Sequence, residues 1–395
     1  MNREEPKVPF TDLKAQLASI QDEIVDAVHR VLSSGQFVGG QWVEQFEEEF
    51  AHSVGATYAV GVGSGTAALE LALKAVQIKA GDEVVVPANT FVATAEAVSN
   101  IGAKPVFADV DSATFHLNIA LVERHITSKT RAIVPVHLYG RAMDLSMLQE
   151  LADLHRLVII EDAAQAHSTQ YGWTPVGGSG RLTCFSFYPG KNLGACGDAG
   201  AVTCNDRSQA EQLRLFRNHG SPEKYVHSII GTNTRLDAIQ AAVLSIKLRY
   251  LSDWNSKRLA HAKAYSTRLW NCPLQLPPIL PGNQQNFHLF VIRSQQRDLL
   301  RQHLHNHGIE TGIHYPVPLH LTPAYQKLGY PRRGSLPVAE VLAEQILSLP
   351  MYPELTDGQI QRVTEAILEF VAGANRDYQV DSTVPLANRS TPVKM

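Results

Sequence analysis

Between Tyr58 and Asp162, short apolar runs alternate with helical segments: "YAVGVG", "AALELALKAV", "EVVVP", "FVATAEAVSNI", "KPVFADV", "LVERHI", "RAIVPVH", "LSMLQELADLH" and "LVIIED". Few folds accept that rhythm. Apolar strands separated by helices build βαβ units, and their sheet is mostly parallel and covered on both faces. In such sheets ligands collect outside the carboxyl ends of the strands. Gly63–Thr66, Asn89–Phe91, His137, Asp162 and Gln165 all fall there.

The rhythm changes after Gly180, where two shorter strands, "LTCFSF" and "AGAVTC", follow. Apolar spacing predicts one amphipathic helix over 11–33 and a long one over about 235–270. The proline-rich stretch 272–286 reads as a connection, and the residues from 374 on are polar and aperiodic. The expected organisation is an N-terminal arm and helix (1–35), a large α/β domain with a mixed, mostly parallel sheet (36–250), a smaller α+β domain (251–373) and a flexible tail (374–395).

Bulk properties narrow the function. A chain of 395 residues, 44% hydrophobic, suffices for two or three domains. Its net charge of -3 and lack of a basic stripe argue against nucleic acid. The N-terminus has no apolar signal core, and no stretch of about 20 uncharged apolar residues could span a membrane. Cys184, Cys196, Cys204 and Cys272 form no CxxC pair, which fits reduced thiols in the cytoplasm and no metal site.

Four local features carry the chemistry. "GVGSGTAALELAL" places Gly65 and Thr66 between a strand and a helix, where free N–H groups can receive a phosphate. By itself it is equally an ordinary capped turn. Asp162 ends a buried strand and needs a cationic or donor partner, unless it caps the next helix. Phe91, in "ANTFVATA", can lie on a ring ligand or pack in the core. Lys191, in "SFYPGKNLGACGDAG", follows an apolar run and precedes small residues. Most loop lysines are solvated, but one held among apolar neighbours becomes a nucleophile towards carbonyls. Together the four match the aldehyde, ring nitrogen, aromatic face and phosphate of pyridoxal phosphate.

The chain is similar to the DegT/DnrJ/EryC1/StrS family of sugar aminotransferases, which are fold-type I pyridoxal-phosphate enzymes like aspartate aminotransferase. The resemblance rests on "GSGTAALELAL", "PANTFVATAEAV", "PVHLYGRAMD", "IIEDAAQAH", "SFYPGKNLGACGDAGAV", "RNHGSPEKYVHSIIGTNTRLDAIQAAVLSIKL" and "IHYPVPLH". It implies that Lys191 is the Schiff-base lysine and proton shuttle, and that Asp162 pairs with the ring nitrogen. Gln165 would lie near the ring hydroxyl, Phe91 on the ring, and Gly65, Thr66 and Ser186 at the phosphate. Asn233 would reach the phosphate of a neighbouring subunit, so a homodimer with shared sites is implied. His314, Tyr315 and His320 are candidates for the substrate side, with Arg217, His219 and Lys224 in the loop before Asn233. The resemblance further implies L-glutamate as donor and a nucleotide-linked keto-sugar as acceptor, with a dTDP-3-keto-6-deoxyhexose closest in pattern. Other keto-sugar positions, a UDP-3-keto-uronate, a keto-cyclitol, and a regulatory protein that binds the cofactor without turnover are the alternatives. A family branch that deoxygenates sugars has His where Lys191 stands. A nicotinamide dehydrogenase lacks support, because no GxGxxG is present.

Overall fold

The computed structural model describes residues 7–279 and 283–381. Among the described residues, eight strand segments form one mixed sheet. Lys104–Ala108, Glu83–Pro87, Thr130–Ile133 and Val158–Ile159 lie side by side and parallel. The run Val158–Asp162 carries the sheet onward, because Ile160 N donates to Ile133 O while Glu161–Asp162 pairs in parallel with Thr183–Ser186. Gly200–Cys204 then runs antiparallel to both Thr183–Ser186 and Tyr58–Val62. Among the described residues, Gly200–Cys204 is therefore the one reversed strand of this sheet.

Side chains leave a strand alternately to its two faces, and the sheet separates its cores accordingly. Val84 and Val86 join the cluster under helices Gly65–Ala75 and Val92–Asn100, while Val85 joins Leu148 and Ala152 on the other side. Likewise Val60 and Val62 face one cluster, and Ala59 faces Phe46 and Phe50 of helix Gln41–Ser53. Continuous apolar strands result from burial on both faces.

Helix Ala238–Arg268 runs across position 250 and serves three cores, one of them with Ala27 and Val31 through Ala238, Ala242 and Ile246. Ala241, Leu244 and Leu251 pack under the sheet, whereas Ala262 and Tyr265 join a third core. That third core surrounds the antiparallel pair Phe290–Arg293 and Ile346–Leu349, with helices Arg297–Asn306 and Asp357–Asp381. The helix expected over 11–33 is two helices, Leu13–Ala18 and Gln21–Ser34. Ile20 leaves helical geometry at the junction and is buried there, so tertiary packing overrides one continuous period. The last helix passes position 374, and the rest of the expected tail, 382–395, lies outside the described residues. Among the described residues no helix is long and apolar enough to cross a membrane.

Candidate active site

A cavity of about 610 Å³ opens at the carboxyl ends of the parallel strands. Tyr58–Val62 leads into Ser64, Gly65 and Thr66, Glu83–Pro87 into Thr90 and Phe91, Glu161–Asp162 into Gln165, and Thr183–Ser186 into Tyr188 and Lys191. The reversed strand contributes from its beginning instead, through Asp198.

Helix Gly65–Ala75 starts at this wall. Ser64 caps it by accepting from Ala67 N at 3.1 Å, which leaves the first-turn N–H groups of Gly65 and Thr66 without intrahelical partners. A Cβ on residue 65 would lie 2.6 Å from Ser186 Cβ, so only glycine lets the helix start approach Ser186. Two backbone donors and a hydroxyl thereby share one cradle, which suits a phosphate.

Asp162 is 4% exposed. Its Oδ2 accepts from the Thr94 hydroxyl at 2.7 Å and its Oδ1 from Ala164 N at 3.1 Å. A turn rather than a helix follows it, so the helix-cap alternative is not realised. Burial raises its pKa, against the hydrogen bonds from Thr94 and Ala164 and the charge of Lys191. Glu161, one residue earlier, points to the opposite face. There it meets His137 at 2.9 Å, Ser179 at 2.7 Å and Arg181 at 3.5 Å. His137 is thus a buried structural partner, held with Nε2–H on Glu161 because its Nδ1 accepts from Met143 N.

Lys191 projects from a loop that turns back on itself. Its N–H donates to Tyr188 O, and Ala195 N donates to Phe187 O. A Cβ on Gly194 would lie 2.3 Å from Pro189 O, which explains the small residues after the lysine. Asn192, 1% exposed, pins the loop through Asn255 Oδ1 at 2.8 Å and Asn286 O at 3.0 Å. Burial lowers the Lys191 pKa to about 8, although the charge of Asp162 pulls it up. His288 also lines the cavity, and burial with the charge of Lys191 holds its pKa well below the ordinary value.

Phe91 is 53% exposed at the start of helix Val92–Asn100, so it is no core residue. Its ring lies 5.5 Å from that of Tyr315. Gln165 accepts from Tyr139 N at 2.6 Å and donates to the Tyr315 hydroxyl at 3.2 Å. His314 stacks on Phe10 at 5.6 Å, bonds Ser348 Oγ at 2.9 Å, and has a pKa lowered to about 4 by burial and Lys191.

The cavity therefore brings together Gly65, Thr66, Phe91, Asp162, Gln165, Ser186, Lys191, His314 and Tyr315. Other candidates lie elsewhere. His320 is fully buried, 3.1 Å from Glu340, and is absent from this wall because its segment folds inward against Phe107. Asn233 is exposed and paired with Asn218. Arg217 is engaged by Glu47 and Gly61 O, and Lys224 lies over Tyr225. His219 is exposed with a left-handed backbone. Sequence reasoning missed Thr94, Asp198, Arg258 and His288. Thr94 stands one helical turn after Phe91, and that spacing could have revealed it; the others leave no local signal.

Residues 18–368 match the family described as the DegT/DnrJ/EryC1/StrS aminotransferase family. The erythromycin biosynthesis sensory transduction protein EryC1 of Saccharopolyspora erythraea is 49% identical, over 88% of this chain and 95% of that one. The dTDP-3-amino-3,4,6-trideoxy-alpha-D-glucose transaminase of Streptomyces venezuelae is 48% identical, over 93% and 97%. The crystal structure of DesV from S. venezuelae superposes with a TM-score of 0.91 at 48% identity, over 93% of this chain and 99% of that one. Solved relatives at 33% and 25% identity hold the cofactor in its pyridoxamine and pyridoxal forms.

Proposed function

The chain belongs to the DegT/DnrJ/EryC1/StrS aminotransferase family, uses pyridoxal phosphate and is a transaminase; from that premise we propose that it carries an amino group from L-glutamate to a nucleotide-linked keto-sugar. The acceptor in this proposal is a dTDP-linked 3-keto-6-deoxyhexose, and the product is the 3-amino sugar. One observation carries it: a desolvated lysine, a buried carboxylate and a helix-start cradle line one cavity beside an exposed Phe.

When bound, pyridoxal phosphate supplies a carbonyl for covalent capture of an amine and a ring that accepts electrons from the α-carbon. In this reading Gly65, Thr66 and Ser186 hold its phosphate, and Phe91 covers the ring face. Asp162 pairs with the ring nitrogen. A buried carboxyl with a raised pKa lacks a full cationic partner, and a protonated ring nitrogen provides one. For unit charges about 4 Å apart, at an effective dielectric of about 20, the attraction is about 4 kcal/mol. Lys191 binds the cofactor and later moves a proton from the donor's α-carbon. A pKa of about 8 leaves a usable neutral fraction near neutral pH, where an ordinary lysine has almost none. Gln165, held by Tyr139 N, positions the Tyr315 hydroxyl on the acceptor side. Asn233 stands exposed, with Asn218 beside it, which supports a reading that includes a homodimer with shared sites. The four cysteines are free thiols, which supports a cytoplasmic location.

A panel of nucleotide keto-sugars offered with glutamate, with the new amino carbon located by NMR, tests the proposal. Better turnover of a free keto-cyclitol than of any nucleotide sugar would replace the acceptor. The sensory transduction name of one relative favours a second reading, a cofactor-binding regulator. Conversion of the bound cofactor to its amine form by glutamate alone would exclude it.

A further inference from the structure

The C-terminal region carries a second cluster of ligating side chains, away from the cavity. His303 and His307 lie four residues apart at the end of helix Arg297–Asn306, so both face the same side. Glu369 reaches them from helix Asp357–Asp381. One ligand atom from each lies within 4.8 Å of the other two.

The hydrogen bonds around this cluster point to a cation. His307 Nδ1 is 2.9 Å from His303 O. A carbonyl can only accept, so Nδ1 carries the hydrogen and Nε2 of the neutral ring presents a lone pair. That lone pair faces Glu369 Oε2 at 3.4 Å. A positive charge between these two acceptors, a proton or a metal ion, would turn their contact into an attraction. His303 Nε2 is buried without a hydrogen-bond partner. A proton on His307 would settle the first conflict and leave the second. One metal ion held through His303 Nε2 would settle both.

We propose that His303, His307 and Glu369 bind one divalent transition-metal ion of the zinc type. Two imidazoles and a carboxylate are a donor set for zinc and its neighbours, not for magnesium or calcium. The Nδ1–H bond of His307 to a carbonyl is the outer contact that commonly fixes a ligating histidine. The Glu369 side chain is 69% exposed, so solvent reaches the site and water can fill the fourth position. The ion would tie the end of one helix to the other and act on stability, since none of the three residues lines the cavity.

The test titrates Zn²⁺ into metal-stripped, cofactor-loaded enzyme by calorimetry, with Co²⁺ absorption to report geometry. Wild-type enzyme should bind one ion per chain, show a tetrahedral Co²⁺ band and melt at a higher temperature with Zn²⁺. The double variant His303→Gln, His307→Gln should lose all three effects. Glu369→Gln, which leaves both rings in place, should weaken binding about tenfold or more. Failure of the wild type to take up Zn²⁺ at micromolar concentration overturns the proposal and leaves a proton between His307 and Glu369. Equal uptake by the double variant also overturns it.

Discussion

In the proposed reading the cavity has a cofactor wall and an acceptor wall, and the two are made differently. The cofactor wall consists of strand ends within one sheet: Asp162 and Ser186 end strands, and Gly65, Thr66, Phe91 and Lys191 follow strands, that are fixed by their neighbours. The acceptor wall is assembled from remote pieces. Phe10 comes from the N-terminal arm, His288 from the stretch before Phe290–Arg293, and His314 and Tyr315 from the C-terminal region. Sheet topology dictates the first wall, while loop packing decides the second. A substitution on the first should therefore remove chemistry itself, and one on the second should alter which molecule is used.

The largest loss expected is at Lys191. Lys191→Ala should bind pyridoxal phosphate through the cradle and Asp162 yet lose turnover by roughly 10⁴-fold or more, since nucleophile and proton carrier vanish together. Borohydride reduction followed by peptide mapping should label Lys191 in the wild type alone. A label on a different lysine removes the residue from its proposed place.

Asp162→Asn comes next. It keeps the shape and the Thr94 contact but cannot balance a charged ring nitrogen. The lost attraction of about 4 kcal/mol corresponds to roughly a thousandfold in the glutamate half-reaction. A folded, cofactor-loaded variant with near-normal half-reaction rates would transfer the role to another group.

Asn233 tests whether the cofactor wall is complete in one chain. Lys191→Ala and Asn233→Trp should each be impaired alone. Reassembled in equal amounts, they should regain about a quarter of the wild-type activity. Half of the dimers are then mixed, and each mixed dimer has one site with both residues intact. No recovery from subunits shown to exchange would place Asn233 outside the site.

A smaller effect is expected in pH dependence. Only the neutral amine attacks an aldehyde. With a pKa lowered from 10.5 to about 8, Lys191 of the cofactor-free protein should capture pyridoxal phosphate faster as pH rises and level off above about pH 8. An exposed lysine would keep gaining towards 10.5. Asp162 raises the Lys191 pKa through its charge, so Asp162→Asn should move the midpoint down. A midpoint near 10, or one that moves up, contradicts the desolvated amine.

Legibility in the sequence followed the same division. The apolar alternation from Tyr58 to Asp162 implied the sheet, and the sheet's carboxyl edge gathered Gly65, Phe91, Asp162 and Gln165, together with His137, which proved structural; Lys191 stood out by its apolar and small neighbours instead. Gly194 shows why the small residues belong there: its close approach to Pro189 O shapes the lysine loop. Arg258 was invisible because its contacts, the carbonyls of Phe287, His288 and Met351, come from segments far apart in the chain. The break at Ile20 was invisible for a similar reason, since local periodicity carries no information about the partner that buries a side chain.

His320 is where the two walls can be told apart most finely. Its sequence neighbours His314 and Tyr315 reach the cavity, yet Leu319 N bonds Ala88 O and turns the following residue inward. There His320 meets Glu340, whose carboxylate also accepts from Gly334 N and Leu336 N. Burial works to raise the Glu340 pKa, but these donors outweigh it and the pKa is lowered, so the site is built for the charged form. His320→Ala removes one donor and leaves a void, with three backbone contacts to Glu340 still in place. The expected cost is about 1–3 kcal/mol of stability, read from urea unfolding. The kcat/KM for the nucleotide sugar should stay within about twofold, because no atom facing the cavity changes. A large loss in kcat/KM with stability intact would return His320 to the acceptor wall and break the division between the two.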